Sequence, residues 1–101
     1  GAAAAARIEH RGVVLDTTRC EVSYQGKSAE LTKNELRILS LLLSRAGKIV
    51  SRSAIMQDLW DSDAFVDDNT LTVNINRLRT TLEKIGIKGY LTTHRGQGYS
   101  V

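Results

Sequence analysis

Asn69, Val73, Asn76 and Arg77 are spaced so that, at about 100° per residue, they fall on one side of a helix. Their chemistry is that of groove reading. An Asn amide can donate to and accept from an adenine edge, an Arg can take both acceptors of a guanine or grip a phosphate, and a Val can touch a thymine methyl. Val73 is the telling member, because a solvated face more often carries Glu or Lys and an apolar β-branched residue there has no core to fill. A merely solvated face would explain Arg77 and Arg79 but not Val73. Phosphate grips should flank such a helix. Arg52 with the amides of its helix N-terminus, Thr70, Arg79, and Thr92 or Thr93 are the candidates. Arg95 precedes Gly96 in a loop of hairpin size, narrow enough to enter a minor groove. The expected ligand is duplex DNA, since no aromatic platform for stacking single strands is visible.

These side chains need a helix held from behind. Leu71, Ile75, Leu78, Leu82 and Ile85 supply the opposite stripe of a helix over 67–85, capped by Asp67 or Asp68 and stopped at Gly86. A second helix over 52–60, with Ser51 as N-cap and Ile55 and Leu59 one turn apart, can brace it. Thr32 and Glu35 form a capping box for a first helix, with Leu31 and Leu36 as its hydrophobic staple. Its apolar stripe is Leu36, Leu39, Leu42 or Leu43, and Ala46, and Gly47 is its stop. Before it, 7–31 alternates short apolar runs with turn clusters at Gly12, at Asp16-Thr17-Thr18 and at Gln25-Gly26-Lys27. This predicts three or four antiparallel strands, with Cys20 inside one of them. After it, Lys48-Ile49-Val50 can pair as an edge strand. Two strand-like runs, 90–93 and 99–101, flank the loop His94-Arg95-Gly96-Gln97-Gly98.

The chain has 101 residues, enough for one core. Residues 1–6 have neither the charged start nor the apolar stretch of a signal peptide and are read as a linker or tag remnant, leaving 7–101 as the domain of a chain cut from something longer. No apolar run is long enough for a membrane span. A single cysteine, Cys20, fits a reducing, cytoplasmic compartment. The net charge is +3, yet the positive excess lies wholly in 69–101, where five basic residues face Glu83 alone; such asymmetry suits a polyanion. Catalysis fits poorly, because His10 and His94 lie on different elements without an orienting carboxylate. The acids between Asp61 and Asp68 fail a calcium-loop template: counting from Asp61, the sixth position is Val66, where a Gly is required. No metal or cofactor is expected, and Phe65 in that loop suits a protein contact.

Three stretches then stand together. Thr32-Lys33-Asn34-Glu35-Leu36, Val50-Ser51-Arg52 and Leu59-Trp60 frame the first two helices; Val66-Asp67-Asp68-Asn69-Thr70-Leu71-Thr72-Val73-Asn74-Ile75-Asn76-Arg77-Leu78-Arg79 opens the third; Arg95-Gly96-Gln97-Gly98-Tyr99 ends two residues before the last. Over about 7–101 the chain resembles the C-terminal effector domain of OmpR/PhoB-type two-component response regulators. The resemblance implies an α+β fold: a winged helix-turn-helix with an N-terminal four-stranded antiparallel sheet, three helices and a C-terminal hairpin wing over 90–101. It implies promoter binding as a head-to-tail dimer on direct repeats, and an N-terminal receiver domain phosphorylated on Asp by a sensor kinase. By the resemblance Asn69, Thr70, Val73, Asn74, Asn76 and Arg77 face or grip the major groove, and Arg95 reaches the minor groove. Arg52, Trp60, Thr93 and Tyr99 touch phosphates, and loop 61–68 contacts RNA polymerase. Asn69 and Asn76 depart from the Arg frequent in relatives, which removes two charges, and the helical wheel sets Asn74 nearer the core stripe. The wording of 67–74 and 98–101 looks most like regulators of resistance to bacitracin or lantibiotic peptides. The rival reading is a winged helix used for protein contact, which leaves Arg77 and Arg95 without a polyanion.

Overall fold

Four short strands open the chain in sequence order: β1 Arg7–His10, β2 Val13–Asp16, β3 Glu21–Tyr24 and β4 Lys27–Glu30 form one antiparallel sheet in the order β1-β2-β3-β4. The structure, a computed structural model, describes residues 7–61 and 67–101. The segment 1–6 and the central part of loop 61–68, Phe65 included, lie outside the described residues. Two hairpins are closed by Arg11-Gly12 and Gln25-Gly26, with both residues of each pair at positive φ (54° and 83°, 48° and 82°), the conformation that matches the right-handed twist of paired strands. Val13, Leu15 and Val22 alternate inward, and Leu15 pairs directly with Val22.

Cys20 is not in a strand. It sits at φ 53° in the turn between β2 and β3. The Asp16 carboxylate accepts from the amides of Thr18 and Arg19, both at 3.0 Å, and so folds the segment into a turn before a strand can begin. The Cys20 carbonyl then accepts from the Leu31 amide at 2.8 Å, fastening the turn to the end of β4.

Helix α1 spans Lys33–Ser44, and both bonds of the Thr32–Glu35 capping box are present at 3.2 Å. It buries Ile38, Leu39, Leu42, Leu43 and Glu35; Leu36 is only half-buried and Ala46 lies beyond the helix. Helix α2 spans Arg52–Asp61, with the Ser51 hydroxyl accepting from the Ala54 amide. Helix α3 spans Asp68–Lys84, capped by Asp67. The three helices, the inner face of the sheet and the wing share one core. No helix among the described residues is long and apolar enough to cross a membrane.

The wing is shorter than the sequence suggests: β5 is Thr92–His94 and β6 is Gly98–Ser100, while Tyr90 and Leu91 are buried in the approach to it. Val50 pairs with Tyr99 through amide–carbonyl bonds of 2.8 and 2.9 Å in both directions, and Gly47 donates to Val101. The chain between α1 and α2 therefore serves as a third, minimal strand of the wing. Gly98, at φ 150°, lies against this pairing, and a Cβ there would be driven into the Val50 carbonyl. Gly98→Ala should destabilise the domain by more than about 2 kcal/mol, combining backbone strain with overpacking. A thermal melt, with amide exchange at Val50 and Tyr99 as the local readout, checks this. A near-wild-type melt with both amides still protected would contradict it.

Candidate nucleic-acid interface

Helix α3 has two faces. Leu71, Ile75, Leu78 and Leu82 are at most 1% exposed. Asn69, Thr70, Val73, Asn76, Arg77, Thr80 and Lys84 are all exposed on the other side, with Val73 at 46%. Asp67 sets the start of the helix, its carboxylate accepting from the Thr70 amide at 2.7 Å.

Asn74 departs from the role the resemblance implied. It is 6% exposed, and its amide donates to the Thr70 carbonyl at 2.9 Å. One residue from Ile75 on the wheel, it belongs to the core side, and the intrahelical bond satisfies its buried amide. Tyr99 also turns inward, with its ring in the core and its hydroxyl accepting from Arg52 Nη1. Trp60, at the end of α2, is 44% exposed. Thr93 and Arg95 are exposed on the wing.

Arg52 is engaged within the domain. Its Nη2 donates to the Asp68 carbonyl at 2.8 Å and to the Thr72 hydroxyl at 3.0 Å, and Nε and Nη2 both lie 3.3 Å from Asp68 Oδ1. Its guanidinium carbon stands 5.8 Å from the centre of the Tyr99 ring, within cation–π range. Arg79 donates from Nη2 to the Thr93 hydroxyl, linking α3 to β5. Sequence reasoning gave neither Asp68 nor Thr72 this role. Their four-residue spacing put them on one side of the first turn, but only the crossing of α2 brings Arg52 to them. His94 Nε2 and Ser100 Oγ, 2.7 Å apart across the wing, were likewise not foreseen. An open cleft separates the start of α2, Ser51 to Ser53, from the wing residues 93–99.

A helix laid across two others, with its outer face free and a hairpin beside it, defines a winged helix-turn-helix of the kind that reads duplex DNA. Residues 26–101 match the family described as transcriptional regulatory protein, C terminal, and the chain belongs to it, as an OmpR/PhoB-type DNA-binding effector domain. The BceR sensory transduction proteins of Halalkalibacterium halodurans and Bacillus subtilis (strain 168) are 46% and 47% identical over 88 residues, 87% of this chain. The chain spans 38% of the length of these curated relatives. The C-terminal domain of the nisin resistance regulator NsrR superposes with a TM-score of 0.83 at 39% identity, over 92% of this chain and 94% of that one. The DNA-binding domain of the response regulator AdeR, solved in complex with an intercistronic region, gives 0.79 at 27% identity, over 92% and 96%. Within the family the chain falls in the bacitracin and lantibiotic branch that includes BceR, GraR and NsrR.

The Thr70 amide holds the Asp67 carboxyl below its ordinary value of 3.8. A carboxyl lowered in the folded state stabilises α3 above its unfolded pKa and loses that contribution as pH falls through the folded one. Asp67→Ala should therefore be less stable than wild type at pH 6, with the difference narrowing below about pH 4. Urea melts at several pH values measure it, and a pH-independent difference would count against the cap.

Proposed function

We propose that this domain seats α3 in the major groove of promoter DNA and lays its wing over the neighbouring minor groove. The observation that carries this is the α3 outer face: Val73, 46% exposed, sits among Asn69, Asn76 and Arg77, all turned away from the core. In this reading Val73, Asn69 and Asn76 meet base edges, while Thr70, Arg77 and Thr93 meet the backbone. Arg95 enters the minor groove. Trp60 borders the phosphate path.

The whole protein, in this proposal, is a two-component response regulator. A receiver domain phosphorylated by a sensor kinase precedes this one, and two copies bind direct repeats head to tail. Loop 61–68 faces RNA polymerase. The names of the relatives in its branch support a role in the response to peptide antibiotics. Dimerisation would offset the charges missing at Asn69 and Asn76, since each copy alone grips few phosphates.

Fluorescence anisotropy on promoter duplex across a salt series tests the core of this reading. Affinity should fall linearly in log–log with salt. Arg77→Ala should reduce the slope by about one unit. Val73→Ala should relax base preference by about tenfold or less with the slope unchanged. Salt-insensitive binding, or none at low ionic strength, would falsify the proposal.

A further inference from the structure

We propose that Arg52 and Arg79 are positioning residues that lock the wing to α3, so that the two grooves are read as one unit rather than by two independent contacts. Thr93 and Tyr99 form one cross-strand pair of the wing. Arg79 holds the Thr93 end of that rung directly from α3. Arg52 holds the Tyr99 end and is itself bonded to Asp68 and Thr72 in the first turn of α3. The attachments to α3 lie seven to eleven positions apart, Thr72 and Asp68 against Arg79, about 10–16 Å along the axis. A rung tied at both ends to two distant points of a rigid helix has its direction fixed as well as its distance.

The chemistry requires arginine at position 52. Nε, Nη1 and Nη2 donate in diverging directions to two elements at once, which the single nitrogen of a Lys does not reproduce. The Tyr99 hydroxyl receives the Nη1 arm of this fan, with the guanidinium carbon 5.8 Å from the ring centre. Arg95 stands two residues beyond Thr93, so its offset from Val73 is set by this brace. A DNA site would then be selected partly by the spacing between its major-groove bases and the adjacent narrow minor groove.

The variants Tyr99→Phe and Thr93→Val remove the two hydroxyls, keep the shape of each side chain and leave both arginines charged. Residual dipolar couplings of the free ¹⁵N-labelled domain are the first readout. In wild type, α3 and the wing should fit one alignment frame; in the double variant the wing couplings should be reduced relative to α3. The second readout rests on the duplex reading above: a double-mutant cycle of Val73→Ala and Arg95→Ala. It should show coupling of about fivefold or more in wild type and additivity within about twofold in the Tyr99→Phe/Thr93→Val background; affinity lost with the Thr93 backbone contact is common to all four members of that cycle and cancels. If the double variant melts below the working temperature, each single variant is read the same way. A wing that keeps the common frame, or a coupling that survives the loss of both hydroxyls, overturns the brace. Absence of duplex binding by wild type would overturn the DNA reading instead, and the dipolar couplings would still decide the brace.

Discussion

A helix can offer one face to a ligand only if its opposite face is held firmly enough to fix its rotation. In α3 that hold is Leu71, Ile75, Leu78 and Leu82, all at most 1% exposed and packed with α1, α2 and the wing approach. Each such burial contributes about 1.5–3 kcal/mol relative to exposure. A slip of one residue rotates the helix by about 100° and would turn these side chains into water. The outward set Asn69, Val73, Asn76 and Arg77 is thus a consequence of the core. The exposed apolar Val73 sits at 46% because the stripe opposite it on the wheel is committed inward.

The second structural dependence is the closure at Val50. This residue lies between α1 and α2, yet its backbone exchanges both hydrogen bonds with Tyr99 near the chain's other end. The close approach requires Gly98, which leaves the Val50 carbonyl room. Through this pairing the start of α2 is carried beside the wing, and the cleft between Ser51–Ser53 and residues 93–99 results. Arg52 is then within reach of Tyr99. The same closure explains why two side chains of phosphate-gripping type, Arg52 and Arg79, are engaged with the domain's own hydroxyls and carboxylate.

Charge gives the surface its direction. Arg77 and Lys84 on α3 and Arg95 on the wing are exposed, with Glu83 the one acid in 69–101. Asp68, by contrast, faces Arg52 and Asp67 caps the helix, so the two acids at the start of α3 serve its local structure rather than opposing the patch.

Much of this was legible beforehand. The stripe 71, 75, 78, 82 and 85, the Thr32–Glu35 box, the Ser51 cap, a cap at Asp67 or Asp68 and an opening of three or four strands are local patterns, set by helical or alternating periodicity and by side chains bonding amides within three or four residues; the count of four strands came from the resemblance. The wheel even placed Asn74 toward the core, against the role suggested by resemblance, and its 6% exposure agrees with the wheel. Local pattern failed where a nearby competitor intervened, as when Asp16 captured two amides and put Cys20 in a turn. It also failed at the wing, where Tyr90 and Leu91 have strand-like composition but are drawn into the core instead. The sequence alone determined which face of α3 is free, because that follows from spacing along one helix. Only the tertiary structure decided what Arg52, Arg79 and Tyr99 do, because their partners lie 14 to 47 residues away and meet them only when α2, α3 and the wing have packed.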